Sequence, residues 1–91
     1  MAQVIVTLSI MPSSPDDDLD AIEESAKEKI KAFDGELAKS ERKPVAFGLK
    51  SIELIFTMDE KKGSTDELES EISQIENVNS VSVTDVRRMF G

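Results

Sequence analysis

Two runs of alternating apolar and polar residues most constrain how this 91-residue chain can fold. The first run spans residues 4–11 and the second spans residues 51–58, and in each the large apolar side chains recur at every second position. A period of two is that of a β-strand with one apolar face. The apolar face of the second and more regular run consists of Ile52, Leu54, Phe56 and Met58, which alternate with Ser51, Glu53, Ile55 and Thr57. We expect this second strand in the middle of a sheet.

Elsewhere apolar residues recur at intervals of three and four, which predicts two helices. The first helix is predicted to take Ser14 as N-cap and Pro15 as its first residue, and to run for about five turns before the left-handed cap at residues 34–35. The second is predicted to open with a capping box at residues 64–67 and to close at Asn77. The two buried stripes are Leu19, Ile22, Ala26, Ile30 and Phe33, and then Leu68, Ile72 and Ile75.

The order of the predicted elements indicates the fold class. A charged segment at residues 36–43 reads as an edge strand, and residues 78–86 as a last strand. Strand, helix, strand, strand, helix, strand is the order of the ferredoxin-like sandwich, an α+β fold with two helices on one face of a four-stranded antiparallel sheet of order 4-1-3-2. The loop between the second and third strands of the chain then lies at one end of the sheet. Arg87 and Arg88 lie at the other end, about 25 Å away.

Composition and length narrow the function. We expect residues 1–91 to form a single domain. The chain has no cysteine and no histidine, which excludes disulfides, thiolate metal sites and the usual general base. Its net charge of −8 argues against a nucleic-acid binder, because phosphate contacts supply most of that affinity. No apolar run is long enough to span a bilayer, so we expect a soluble cytoplasmic protein.

Three successive aspartates, Asp16–Asp18, admit two interpretations. Carboxylates can bind a metal ion, but carboxylates at the start of a helix also interact favourably with its dipole. Successive residues point in different directions, which disfavours a shared ion. We therefore predict neither a metal site nor a cofactor.

The loop Lys43–Leu49 carries Phe47, one of only four aromatic residues in the chain. Pro44 fixes its own φ and Gly48 can adopt a positive φ, so this backbone is suited to a turn. Phe47 could fold back over the sheet edge, or it could be an exposed anchor for a partner protein, a role in which aromatic side chains are favoured.

Three segments together resemble the C-terminal exchange domain of translation elongation factor 1-beta. They are Pro44–Lys50, Thr65–Glu69 and Asp85–Val86, and their order and spacing carry the resemblance. It covers the full length and is to the stand-alone archaeal form. The resemblance implies the same ferredoxin-like fold and guanine nucleotide exchange on the GTPase elongation factor 1-alpha, by differential binding rather than covalent chemistry. We expect no direct nucleic-acid or membrane contact, and a monomer when free.

The resemblance also implies site residues. In that family a loop aromatic docks on the second domain of the GTPase, and a lysine next to the C-terminus enters its magnesium site. Phe47 matches the aromatic position, but residues 87–91 contain no such lysine. Arg87 or Arg88 could supply the cation instead, although a guanidinium is bulkier than an ammonium. Alternatively, the two arginines could be a solvated basic terminus with no role in exchange. In that case Lys61 and Lys62 would be the next candidates for the cation. The predicted partner-binding residues are Pro44, Val45, Phe47, Gly48, Arg87 and Arg88.

Two other functions fit the same fold. RNA recognition domains share the topology and stack bases on sheet aromatics, but these strands show no aromatic cluster on the outward face. A small-molecule regulatory module or an acylphosphatase-like hydrolase is the other alternative. The first loop lacks the glycine-rich anion cradle with a neighbouring arginine that such a site would use.

Overall fold

The computed structural model describes residues 3–14, 16, 18–45, 48–62 and 65–89. The described elements follow the predicted order. They are β1 (Gln3–Pro12), α1 (Leu19–Ala32), β2 (Glu36–Pro44), β3 (Lys50–Asp59), α2 (Asp66–Ser73) and β4 (Val78–Met89), with a 3₁₀ turn at Glu60–Lys62.

The four strands form one sheet of order β2-β3-β1-β4, and every neighbouring pair is antiparallel. This confirms the predicted fold class, strand order and strand directions. β1 pairs with β3 from Gln3 opposite Asp59 to Ile10 opposite Ile52. The two most regularly alternating strands therefore lie in the centre, where the helices can cover their apolar faces.

The core lies between one face of the sheet and the two helices. Its members are at most 2% exposed, and burying each large apolar side chain contributes about 1.5 to 3 kcal/mol. They are Val6, Leu8, Ile10, Ile22, Ala26, Ile30, Ile52, Leu54, Phe56, Met58, Leu68 and Ile72. The alternation and the helical stripes predicted these residues, and Leu19, Phe33 and Ile75 pack at the margin of the same cluster.

The prediction that Ser14 is the N-cap of α1, with Pro15 as the first helical residue and a length of about five turns, is wrong. The helix starts at Leu19 and has 14 residues. Asp18 is its N-cap, and the Asp18 carboxylate accepts hydrogen bonds from the backbone N–H groups of Asp20 (3.0 Å) and Ala21 (3.2 Å). Ser14 instead accepts one from the N–H of Asp16. A carboxylate caps the helix at a position where an oxygen acceptor is strongly favoured.

The end of α1 has the left-handed conformation predicted for residues 34–35, and Asp34 is the residue that adopts it (φ 66°). Gly35 serves another purpose, because a Cβ built there would lie 2.9 Å from Ile30 Cγ2 and 3.1 Å from Phe56 Cδ2. The missing side chain allows the chain leaving α1 to pass close to the core.

The second helix is shorter than predicted. Thr65 is its N-cap but makes no side-chain capping hydrogen bond, and its hydroxyl donates to Glu69 Oε2 at 3.1 Å. The predicted capping box includes residue 64, which lies outside the described residues. The helix ends at Ser73 rather than Asn77. Asn77 instead has a positive φ of 72° in the turn that leads into β4.

The last strand is longer than predicted, and this changes the setting of both arginines. The sequence suggested that Arg87 begins a tail, whereas β4 continues through Met89. Pairing with β1 extends it, since Arg88 lies opposite Val4 and Met89 opposite Gln3. Arg87 and Arg88 therefore sit on a strand, where the direction of each side chain is set by the sheet.

Candidate functional site

One end of the sheet carries the connection between β2 and β3, which we call the loop end (Pro44, Val45, Gly48 and Leu49). The Val45 N–H donates to the Leu49 carbonyl oxygen at 2.8 Å and closes the loop. Gly48 has a φ of 75°, as the turn prediction required, and a Cβ there would meet no atom within 4 Å. Backbone conformation rather than crowding thus favours glycine at this position.

The strands beneath the loop end are held by polar contacts on both faces of the sheet. Lys43 Nζ lies 3.4 Å from Glu53 Oε1. On the helix side, Arg42 donates to Asp20 Oδ1, and this hydrogen bond raises the pKa of Arg42 above its ordinary value. Glu23 lies 3.9 Å from the same guanidinium. These contacts tie the edge strand that leads into the loop to its neighbour and to α1.

The loop end presents apolar surface. Pro44 and Gly48 are exposed, and Val45 is one of the exposed large hydrophobic residues of the described chain at 36%. Phe47 lies outside the described residues, so its two interpretations both stay open. The structure does bring Pro44, Val45 and Gly48 together at the place where the loop was expected.

The opposite end of the sheet carries Arg87 and Arg88, and we call it the arginine end. Arg87 Nε lies 2.8 Å from Asp85 Oδ2, and Arg88 Nη2 contacts Glu60 Oε1. The side chains remain 76% and 66% exposed, so both ion pairs are solvated. Neither arginine is the unpaired cation of a loose terminus.

The two arginines point to opposite sides of the sheet. Arg87 lies opposite Ile5, which lies between the core-facing residues Val4 and Val6 on β1 and therefore on the open face. Arg88 lies opposite Val4, which packs against the core on the helix side. Successive side chains of a strand alternate between faces. A partner that approaches one face can therefore reach one arginine more directly than the other.

Sequence reasoning missed the two counter-ions. Asp85 could have been found, because it precedes Arg87 by two positions and a strand places such residues on one face. Glu60 lies 28 residues from Arg88 in sequence and meets it only because β3 and β4 both pair with β1. No local pattern indicates this contact.

The two ends are far apart. Val4, opposite Arg88, and Pro12, opposite Val78, are eight positions apart on β1, which corresponds to about 26 Å. The loop end lies on the Pro12 side, because Pro44 pairs with Lys50 there. This agrees with the separation of about 25 Å that the sequence predicted, and a partner that touches both ends must itself be large.

The open face of the sheet carries no aromatic side chain among the described residues. Its centre is formed by the facing pairs Ile5–Thr57 and Thr7–Ile55. Phe56 is fully buried on the other face, and Phe33 packs at the margin of the core. Base stacking on this face would lack the aromatic platform that RNA recognition domains use.

A groove of about 570 Å³ between the two helices has four carboxylates among its lining residues, namely Asp18, Glu28, Glu71 and Glu76. Among the described residues, Lys29 is the one basic side chain that lines it. Such a lining disfavours an anionic small molecule.

The described part of the chain contains no group of three acidic residues that could hold a metal ion, and Asp17 lies outside it. No described helix has the length and apolar character needed to span a bilayer.

Comparison with solved structures agrees with the fold. Solved structures of similar fold include the ACT domain of a Chlorobium tepidum GTP pyrophosphokinase (TM-score 0.62, 13% identity, 89% of this chain and 97% of that one). A de novo designed protein, Foldit4, gives a TM-score of 0.66 with 15% identity and 98% of both chains covered. At these identities the likeness concerns the fold alone.

Sequence comparison identifies the family. The family model of the EF-1 guanine nucleotide exchange domain matches residues 5–89. Elongation factor 1-beta of Methanobrevibacter smithii is 39% identical over 90 residues, which is 99% of this chain and 100% of the relative. Elongation factor 1-beta of Methanothermobacter thermautotrophicus is 38% identical over the same length and coverage. The chain is thus a nucleotide exchange domain of ferredoxin-like fold. It belongs to the elongation factor 1-beta family.

Proposed function

We propose that residues 1–91 act as one exchange domain that promotes GDP release from the GTPase elongation factor 1-alpha, so that GTP can bind again. The observation that supports this most directly is the match of the exchange-domain model to residues 5–89. A role in translation elongation would place the protein in the cytoplasm. The proposal needs no covalent step and no direct contact with nucleic acid.

The proposed action is differential binding. An exchange factor binds the nucleotide-free GTPase more tightly than the nucleotide-bound form, and by reciprocity bound nucleotide weakens the factor. Each ~1.4 kcal/mol of selective destabilisation gives about tenfold faster release when it is expressed in the barrier. No described residue needs to act as acid, base or nucleophile.

The separation of the two ends supports a contact at two points. At the loop end, Pro44, Val45, Phe47 and Gly48 would bind one domain of the GTPase, as the family resemblance implies for the loop aromatic. About 26 Å away, Arg87 or Arg88 would approach the magnesium site. A cation there would compete with the metal ion for the same negative charges. Each arginine must first leave its own carboxylate, Asp85 or Glu60.

The experiment is release of fluorescent GDP from elongation factor 1-alpha of the same organism, chased with excess unlabelled GTP. We expect acceleration that saturates with the concentration of this protein and that declines as magnesium is raised, because the metal ion opposes the competing cation. The control is the GTPase alone over the same magnesium series. Unchanged release at saturating protein would contradict the proposal, and acceleration independent of magnesium would contradict the competition.

A further inference from the structure

The two edge strands of the sheet differ sharply in how they are protected. β2 has five charged residues among nine and ends in a proline, which discourages pairing with another chain. On the other edge, residues 77–84 of β4 and its preceding turn include no charged residue, in a chain that is 33% charged. Two bulges interrupt the pairing of β4 with β1, and regular pairing covers Ser80–Val83 between them. This part of the edge is open to another strand.

The valines of β4 are arranged symmetrically about Ser82. Successive valines are separated by three, two and three positions. All four lie opposite helix-facing residues of β1, because the bulges fall within the two longer intervals. The pairs are Val78 with Pro12, Val81 with Ile10, Val83 with Leu8, and Val86 with Val6. Val86 is nevertheless 56% exposed, so the row ends in apolar surface that its own chain does not cover.

We propose that a second copy of the chain pairs antiparallel with β4, with a two-fold axis at Ser82. A two-fold interface requires that if one residue contacts another, the reverse contact also forms. Centring the axis at Ser82 places Val81 opposite Val83 of the second copy and Val78 opposite Val86. Directly opposite residues then lie on the same face, as a continuous sheet requires. A shift of the axis by one position breaks these matches.

Charge at the ends of the strand agrees with the same register. Glu76 and Arg88 each lie six positions from Ser82, so this register brings the turn that carries Glu76 of one copy near Arg88 at the far end of β4 of the other. The helix α2 carries four carboxylates and no basic residue, and it packs beside β4 in each copy. In the proposed pairing the two α2 helices therefore repel each other. Their mutual repulsion acts through solvent and is screened by salt. Salt also screens the Glu76–Arg88 attraction, but each copy carries a net charge of −8, so the loss of repulsion is the larger effect and association should strengthen as ionic strength rises.

This inference differs from the monomer that the sequence led us to expect, and that expectation took no account of the spacing about Ser82. It is independent of the exchange function, since an exchange factor can act as one copy whether or not free copies pair. A pairing limited to one strand edge gives a small interface, so the association should be weak and reversible.

The test is sedimentation equilibrium of the full chain from about 10 µM to about 1 mM at low and high salt, with backbone amide NMR shifts over the same range. We expect the average mass to rise toward two chains, more so at high salt. Amide shifts should change along residues 78–86 and stay constant along β2. A mass of one chain throughout would overturn the inference, as would shift changes centred on any other surface.

Two variants test the register. Ser82→Lys places two lysines directly opposite each other and should raise the dissociation constant by about fivefold or more. Ala38→Lys makes the same charge change on exposed β2 and should not raise it. Glu76→Lys should weaken association by about threefold or more, and adding Arg88→Glu should restore it. Amide shifts of β1 and β3 verify that each variant is folded. Equal effects of Ser82→Lys and Ala38→Lys, or no rescue by Arg88→Glu, would refute this register.

Discussion

Replacing Arg87 and Arg88 one at a time tests whether the arginine end takes part in nucleotide exchange. The two side chains lie on opposite faces of β4, so they should not contribute equally. The helix side is strongly acidic, because α2 has four carboxylates and no basic residue. That charge repels a nucleotide site rich in phosphate and carboxylate oxygens. We therefore predict that Arg87, on the open face, is the arginine that acts.

The expected size of the effect comes from the exposure of the two ion pairs. Because the guanidinium side chains are 76% and 66% exposed, breaking either pair should change the free energy of unfolding by less than about 1 kcal/mol. A hydrogen bond to a charged group contributes about 1.5 to 3 kcal/mol. Loss of such a contact in the complex should slow GDP release about ten- to hundredfold in Arg87→Ala. We expect Arg88→Ala to remain within about twofold of the unmodified protein.

The assay is stopped-flow GDP release at saturating and subsaturating exchange factor, with urea unfolding of each variant. Lys31→Ala is the matched control, since it removes one positive charge from an exposed position on α1. A large effect of Arg88→Ala with Arg87→Ala unchanged would refute the electrostatic reasoning. If both single variants and the double variant exchange normally, neither arginine takes part, and Lys61 becomes the next basic residue to replace.

Three further changes have defined outcomes. Phe47→Ala should weaken GTPase binding about tenfold or more, as measured by titration, while the free energy of urea unfolding changes by no more than about 0.5 kcal/mol. A loss of about 3 to 5 kcal/mol in stability with affinity preserved would instead show that the ring packs over the core. Gly35→Ala should lower the free energy of urea unfolding by about 1 to 3 kcal/mol, because the new methyl group would crowd Ile30 and Phe56. An unchanged unfolding midpoint would show that the surrounding side chains relax to accommodate the methyl group. Asp18→Ala should lower the free energy of unfolding by about 1 kcal/mol through loss of the α1 N-cap, with GDP release unchanged at saturating protein. Unchanged stability would show that the Asp18 carboxylate does not stabilise the start of the helix.

Periodicity in the sequence was enough to predict the elements, the core and the strand order. The reason is that a strand or helix with one apolar face must bury it, and few arrangements bury four strands and two helices in this sequence order. Local turn chemistry was also sufficient at Gly48, where the positive φ was expected from the loop alone.

Element ends were less predictable because several residues of similar chemistry compete within a few positions. Ser14 and Asp18 are both good N-caps, and which one caps α1 depends on where the helix must begin to lie over the sheet. Asp34 and not Gly35 adopts the left-handed conformation, and position 35 requires glycine because the chain passes so close to Ile30 and Phe56 that no space is left for a Cβ.

The setting of the two arginines depended on tertiary structure alone. The local sequence at residues 87–89 does not distinguish a strand from a tail, and pairing with β1 makes this segment a strand. That pairing places Arg87 and Arg88 on opposite faces and brings Glu60 to Arg88 from 28 residues away. Local propensity cannot encode such contacts, because the energy that orders the segment comes from hydrogen bonds to a strand at the other end of the chain.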